Sequence, residues 1–174
     1  MNLLDILLNR RSVRVYTDEK ISEENLKKIL QAGLLSPTGR NRKPWEFIVV
    51  QDKESLAKMS KSRIMGAGML SGAAAAIVVL GDEEQTDVWT EDCSIAMSNM
   101  HLMASSLGVG SCWIQGRLRE ASEGVSTEAY LRDMFDFPFN MRLEAILSLG
   151  MSDQETAAHS LSEADENKIH WERY

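Results

Sequence analysis

Cysteine and proline are scarce in this sequence of 174 residues, which has two of the former and three of the latter. The cysteines, Cys93 and Cys112, do not form a Cys-x-x-Cys pair, so neither a disulfide framework nor a zinc cage can be built from them. The three histidines have no metal-ligand spacing among themselves or with a cysteine. We therefore expect two free thiols in a reducing compartment and no metal site.

The sequence also lacks a strongly hydrophobic run of the length that suggests a membrane span. Residues 64–81 carry no charge, but they include four glycines and their hydrophobicity is weak. A loop that leads into a buried strand explains this stretch better. The leucines near the N-terminus are interrupted by Asp5 and precede the first arginines, which is unlike a secretory signal. These features predict a cytoplasmic protein without a membrane partner.

An excess of positive charge is missing as well. The chain has 19 Lys and Arg against 26 Asp and Glu, which gives a net charge of −7 and argues against a nucleic-acid partner. The charge is unevenly spread, because residues 1–63 hold 13 basic and 8 acidic side chains. An acidic protein with a basic first third suggests a local site for an anionic ligand.

Several common catalytic motifs are absent. The glycines of residues 66–72 are wrongly spaced for a dinucleotide fingerprint and precede a predicted strand, where the fingerprint follows one. No Walker sequence is present. The segment Gly108-Val109-Gly110-Ser111-Cys112 has glycine where a nucleophile elbow requires serine. A hydrolase is therefore disfavoured.

The patterns that are present predict one mixed α and β domain over residues 1–174. Apolar periodicity and turn residues predict helices at residues 2–9, 22–36, 53–62, 90–107 and 126–135, and strands at 45–50, 74–80, 110–114 and 142–150. Ser22 and Thr90 are expected to cap their helices. The long fourth helix is apolar nearly all the way round, which predicts a buried position and makes His101 a hydrogen-bonded core histidine.

Two polar, basic clusters remain on the predicted loops. Arg10, Arg11, Ser12 and Arg14 place three guanidinium groups and a hydroxyl within five residues, and guanidinium forks match phosphate oxygens. The second cluster is Ser-Pro-Thr-Gly-Arg-Asn-Arg-Lys-Pro at residues 36–44. The first cluster alone is equally compatible with a solvated basic turn, and the second alone is better explained as a connector.

Taken together and in order, these clusters closely resemble motifs of the nitroreductase family of FMN-dependent oxidoreductases. Arg10-Arg11-Ser12-Val13-Arg14 is similar to its Arg-x-Ser-x-Arg opening, and residues 36–45 resemble its Ser/Ala-Pro-Ser/Thr-x-x-Asn-x-x-Pro-Trp loop. Trp89-x-x-Asp92, residues 107–114 and the ending 169–174 resemble later parts of the same family. The resemblance implies an α+β sandwich, with a central, mostly antiparallel sheet flanked by helices, in an intertwined homodimer. The C-terminal tail, about residues 152–174, would pack on the partner subunit.

The same resemblance implies a set of FMN-binding residues. The segment with Arg10, Arg11, Ser12 and Arg14 would hold the FMN phosphate and ribityl chain, with Arg14 near the N1/O2 edge of the flavin. A loop from the other subunit, with Pro37, Thr38, Gly39 and Asn41, would cover the ring. The backbone after Trp113, at Gln115 and Gly116, would face N5 and O4. His159 stands where the family usually has a basic phosphate ligand. A family contact near Lys61–Arg63 cannot be aligned to one residue.

The implied activity is hydride transfer from NADH or NADPH to FMN, followed by reduction of a small-molecule electron acceptor such as a nitroaromatic or a quinone, by a ping-pong mechanism. No side chain need act as a nucleophile or base, since the cofactor carries the redox chemistry. The alternative is a flavin-binding dimer that serves as a carrier, sensor or interaction module without significant NAD(P)H turnover. The neutral His159 and the short connection between residues 81 and 89 keep this alternative open.

Overall fold

The computed structural model describes residues 2–174, which form five helices and six strands. The helices are α1 (Leu3–Asn9), α2 (Glu23–Leu34), α3 (Lys53–Met59), α4 (Trp89–Ser106) and α5 (Thr127–Phe135). The strands are β1 (Trp45–Val50), β2 (Ala75–Asp82), β3 (Gly110–Gln115), β4 (Glu120–Ser122), β5 (Val125–Ser126) and β6 (Met141–Gly150). Short 3-10 turns occur at Gly39–Asn41, Gly68–Gly72, Leu161–Glu163 and Glu166–Lys168.

The central sheet has four strands in the order β1-β2-β6-β3, and each neighbouring pair is antiparallel. Apolar side chains cover both of its faces, so β2 is buried along nearly its whole length. Ile77 and Val79 belong to the core that contains α2 and α4, whereas Val78 and Leu80 belong to the core that contains α3 and α5. This layering confirms the predicted α+β sandwich with a mostly antiparallel sheet, and it explains why β2 is one unbroken apolar run.

Helix α4 is central, as its all-round apolar pattern predicts, but its start was predicted wrongly. Ser22 caps α2 through a 3.2 Å bond from the Asn25 N–H, as expected. In contrast, α4 is preceded by Val88, which provides no side-chain cap, and Thr90 lies inside the first turn. The cap position is therefore two residues earlier than predicted, and this brings Trp89 into the first turn, where its indole packs against Gly81 at a place where a Cβ would lie 2.6 Å from the ring. Tertiary packing therefore overrides the capping preference.

The small hairpin of β4 and β5 was not predicted. Its strands are three and two residues long and largely exposed, so they lack the apolar alternation by which longer strands are recognised. None of the helices within residues 2–174 is both long and apolar enough to cross a membrane.

The C-terminal tail divides into two parts. Residues 152–159 lie against the N-terminal segment of the same chain, where the Asp153 N–H donates to the Val15 carbonyl at 3.0 Å and the His159 N–H donates to the Leu8 carbonyl at 2.8 Å. Residues 160–174 are exposed, including Trp171. The first part thus packs on its own subunit; contact of residues 160–174 with a partner stays a prediction.

Candidate functional site

The arginine segment after α1 is held in an extended conformation beside β3. The Val13 N–H donates to the Ser111 carbonyl at 3.0 Å, and Ser12 forms an isolated parallel bridge with Ser111. The Tyr16 hydroxyl donates to the Val13 carbonyl at 2.7 Å and lies 2.7 Å from the Ser148 hydroxyl. Because extended residues alternate in direction, Arg10, Ser12 and Arg14 share one side of the segment.

That shared side faces α4 and the thiol of Cys112. Arg10 Nη1 lies 2.9 Å from His101 Nε2, and Arg14 Nη1 donates to the Ser12 carbonyl at 3.4 Å. Burial raises the pKa of the Cys112 thiol, while the nearby Arg14 charge and a hydrogen bond to Ser12 oppose the rise. The thiol therefore stays protonated and is not an activated nucleophile.

Arg11 faces the other way. Its guanidinium donates to the Ala157 carbonyl of the tail, and its side chain lines a cavity of about 320 Å³ together with Val13 and Gln154. The Gln154 side-chain oxygen accepts the N–H groups of Arg14 at 2.9 Å and Val15 at 3.1 Å. Arg11 and the tail thus bind the segment on one side, and the side chains of Arg10, Ser12 and Arg14 lie on the opposite side.

Arg10 and Arg14 are not neutralised inside the chain, whereas the charge of Arg11 is near enough to Glu163 to help lower the pKa of that carboxyl group. Among residues 2–174, no carboxylate lies within ion-pair distance of Arg10, Arg11 or Arg14. Like charges clustered without counter-ions repel one another, and an anionic ligand removes that cost. Guanidinium groups and a serine hydroxyl on one side of an ordered backbone fit a phosphate monoester and the hydroxylated chain attached to it, so the residues present fit FMN.

The loop of residues 37–44 is anchored to α4 and is locally strained. The Gly39 N–H donates to Asp92 Oδ1 at 2.9 Å, and Thr38 Oγ1 accepts the Lys43 N–H at 3.0 Å. Arg40, Asn41 and Lys43 have φ values of 52°, 56° and 51°, in the left-handed region that few side chains adopt. Such clusters of strained residues are typical of functional loops.

The predicted N5/O4 edge lies at the end of β3. Trp113 Nε1 donates to Gln115 Oε1 at 2.9 Å, and Gln115 Nε2 donates to the Glu144 carbonyl at 3.3 Å. The same carbonyl accepts the N–H groups of Gly116 at 3.1 Å and Arg117 at 2.9 Å. The Gly116 N–H is therefore already used, and a flavin contact there would require this bond to open.

Glu144 itself is an unusual residue for the interior of a sheet. The register between β2 and β6 shifts at this point, because Val79 faces Ala145 and Leu80 faces Leu143. The bulge places the Glu144 carboxylate within 3.2 Å of the Ser94 hydroxyl, with only 3% of the residue exposed. Burial raises the pKa of this carboxyl group, and the Ser94 hydrogen bond opposes the rise.

His159 lies on the tail side of the arginine segment. Its Nδ1 is 2.8 Å from Glu163 Oε2, and this hydrogen bond lowers the pKa of Glu163. His159 is close in sequence to Ala157, which binds Arg11, and its backbone binds Leu8. The structure thus groups His159 with Arg11 rather than with Arg10 and Arg14.

The segment that could not be aligned, residues 61–63, presents three different environments. Lys61 is exposed, Ser62 is fully buried, and Arg63 is half-buried beside Arg119. Burial and the Arg119 charge lower the pKa of Arg63.

Sequence reasoning missed three sets of contacts at the site: His101 with Arg10 and Ser111, the Glu144 carbonyl with the Gly116 N–H, and Asp92 with Gly39, although Asp92 itself was part of the Trp89-x-x-Asp92 motif. His101 was expected to be a core histidine, and it is 8% exposed and hydrogen-bonded, but its partner was not foreseen. Polar residues inside an otherwise apolar helix were the available signal. Within the described part of the chain, no group of three His, Cys, Asp or Glu side chains could hold a metal.

The sequence and the fold are similar to those of known proteins. A model described as the nitroreductase family matches residues 7–67 and 62–151. The chain is 39% identical to a protein of Archaeoglobus fulgidus with the provisional name NADH dehydrogenase/NAD(P)H nitroreductase, over 98% of each chain. The fold is similar to an FMN-dependent nitroreductase of Clostridium difficile R20291, with 42% identity, a TM-score of 0.95 and coverage of 98% and 99%. It is also similar to a provisionally named nitroreductase of Desulfovibrio desulfuricans in complex with FMN, with 26% identity, a TM-score of 0.79 and 98% coverage of each chain.

Proposed function

The chain belongs to the nitroreductase family, and we propose that it is a homodimeric FMN-dependent oxidoreductase that uses NADH or NADPH to reduce a nitroaromatic, a quinone or a similar small acceptor. The observation that carries this proposal is the ordered face of Arg10, Ser12 and Arg14, whose charges lack carboxylate partners in the described chain. An FMN-bound structure with the same fold is consistent with it.

Each residue of this face has a distinct task in the proposal. Arg10 and Ser12 bind the FMN phosphate and the ribityl chain, because a guanidinium fork and a hydroxyl donate to oxygen acceptors. Arg14 lies further along the segment and holds positive charge toward the N1/O2 edge, where it stabilises negative charge. Bound FMN would supply the redox chemistry by accepting hydride from the nicotinamide and passing electrons to the acceptor. No general base is required of the protein, and the protonated Cys112 thiol is consistent with that.

The loop of residues 37–44 is the proposed cover of the flavin ring in the partner subunit. Its anchor to Asp92 gives it a fixed shape before a ligand arrives. Trp89 and Gly116 line a cavity of about 300 Å³, with Arg117, beside the predicted N5/O4 edge. We assign this cavity to the nicotinamide and the acceptor, which enter in turn.

Anaerobic reduction of the FMN-loaded protein tests the proposal. NADH or NADPH should bleach the flavin absorbance on the timescale of turnover, and double-reciprocal plots at several acceptor concentrations should be parallel, because one cavity serves both substrates. A protein that binds no FMN would contradict the proposal. A flavin that is reduced by dithionite but by neither nucleotide would instead establish the carrier or sensor alternative.

A further inference from the structure

His101 is a buried polar residue of α4 to which the proposed chemistry assigns no task. It is buried among apolar neighbours, yet both of its ring nitrogens have partners. Nε2 lies 2.9 Å from Arg10 Nη1, and Nδ1 lies 2.5 Å from Ser111 Oγ. The histidine thus connects the arginine segment to β3 through its side chain.

The identity of the partners fixes the protonation of the ring. An arginine has only donors, so the 2.9 Å contact requires Nε2 to be the acceptor. The ring proton must then be on Nδ1, from which it donates to the Ser111 hydroxyl. Burial, reinforced by the Arg10 charge, lowers the pKa of His101 to about 4, which agrees with a neutral ring near neutral pH.

Ser111 binds both His101 and the arginine segment. Its hydroxyl accepts from the imidazole, and its backbone carbonyl accepts the Val13 N–H at 3.0 Å. One residue of β3 therefore sets the position of the imidazole and of the backbone that carries Arg10. Ser111 is thus linked both to the imidazole that contacts the Arg10 guanidinium and to the backbone three residues beyond Arg10.

We propose that His101 is a positioning residue for phosphate recognition, which binds one N–H of Arg10 and directs the rest of the guanidinium to the phosphate of the bound flavin. A neutral acceptor is suited to this task because it orients the arginine without cancelling its charge, as a carboxylate would. A histidine that only fills the core needs one partner, for its own N–H, and Ser111 provides it. The second contact, with Arg10, is not required by such a core role. The proposal rests on the proposed FMN site.

The test compares FMN with riboflavin, which has the same ring and ribityl chain but no phosphate. Two substitutions distinguish the roles of the two ring nitrogens. The side-chain amide of His101→Gln can still accept a hydrogen bond from Arg10. The shorter amide of His101→Asn keeps a donor near Ser111 but does not reach Arg10. Dissociation constants for both ligands are measured by fluorescence titration of the apoprotein, with thermal unfolding recorded for each variant.

We expect His101→Asn to bind FMN roughly tenfold or more weakly, the effect of one hydrogen bond to a charged group, and riboflavin as the wild type does. His101→Gln should stay within about threefold of the wild type for FMN, and His101→Asn should add little to the loss caused by Arg10→Ala, since both remove the same contact. If His101→Asn fails to fold, Ser111→Ala, which frees the imidazole, should give the same selective loss.

Equal losses for FMN and riboflavin, or unchanged FMN affinity in His101→Asn, would overturn the positioning role. A wild-type protein that does not prefer FMN to riboflavin would instead contradict the phosphate site itself. Nitrogen-15 NMR of the ring gives an independent readout: the wild type should show the Nδ1–H tautomer, and Arg10→Ala should redistribute the proton between the nitrogens. The same tautomer mixture in both proteins would contradict the proposal.

Discussion

The carboxylate of Asp92, in the first turn of α4, accepts a 2.9 Å hydrogen bond from the backbone N–H of Gly39. Asp92 is 3% exposed, and its second oxygen has no partner within residues 2–174. A carboxylate in the first turn of a helix interacts favourably with the helix dipole. The strained loop of residues 37–44 is therefore tied to the start of the central helix of its own subunit.

Removal of this tie should destabilise the protein. Asp92→Ala leaves the half-buried Gly39 N–H without an acceptor, which costs about 1 kcal/mol in the free energy of unfolding, the low end of the range for an unpaired donor. Asp92→Asn keeps an oxygen at nearly the same place and should lose less. Urea unfolding of the three proteins measures the difference. Equal stability of Asp92→Ala and the wild type would show that the loop does not depend on this bond.

The arginine segment predicts an order among three substitutions. Arg10→Ala and Arg14→Ala should each weaken FMN binding by roughly 1.5–3 kcal/mol, the range for a hydrogen bond to a charged group. Arg11→Ala should weaken it less, because the Arg11 side chain faces the tail and binds the Ala157 carbonyl. Fluorescence titration with FMN measures all three. A larger loss from Arg11→Ala than from the other two would reverse the assignment of the two sides.

Gly116 is predicted to be intolerant of a side chain. A Cβ at this position would lie 2.5 Å from Leu143 Cδ2 and 3.4 Å from the Glu144 carbonyl oxygen, so the turn after β3 would have to move. Gly116→Ala should therefore lower the free energy of unfolding by about 1–3 kcal/mol, the usual cost of overpacking. The FMN content of the purified protein should fall as well. Gly72→Ala is the matched control, since a Cβ there meets nothing within 4 Å. Similar results for the two variants would contradict this steric account.

The exposed end of the tail carries the prediction about the dimer. Within residues 160–174, Ile169, Trp171 and Tyr174 are 56%, 83% and 107% exposed, an arrangement that is costly unless something covers them. Deletion of residues 169–174 should weaken self-association, which sedimentation over a range of concentrations detects. A truncated chain with the dimer stability of the full chain would show that this end does not contribute to the interface.

The individual strands and the arginine segment could be predicted from local patterns in the sequence, whereas the antiparallel layout of the sheet was expected from the resemblance to the nitroreductase family. The apolar run that becomes β2 and the spacing of Arg10, Ser12 and Arg14 are visible without a structure. The contacts of His101 with Arg10 and of Asp92 with Gly39 join residues 91 and 53 positions apart, and no local pattern contains them. The start of α4 was missed for a similar reason, because Trp89 is placed by Gly81 of a different element.

The buried imidazole also predicts how stability depends on pH. The pKa of His101 falls from 6.5 in the unfolded chain to about 4 in the folded one, so the unfolded state binds a proton first as the pH is lowered. The contribution of His101 to stability is therefore complete above pH 6.5. It is lost between pH 6.5 and about 4, and the loss in the free energy of unfolding is roughly 3 kcal/mol at most.

Glu144, whose pKa is raised by burial, changes stability with pH in the opposite sense, so the His101 effect must be isolated by comparison with a variant. Urea unfolding at pH 7.5 and at pH 4.5 should show a loss about 2 kcal/mol larger for the wild type than for His101→Gln, which cannot titrate. The same loss in both proteins would mean that the imidazole is protonated as easily in the folded chain as in water.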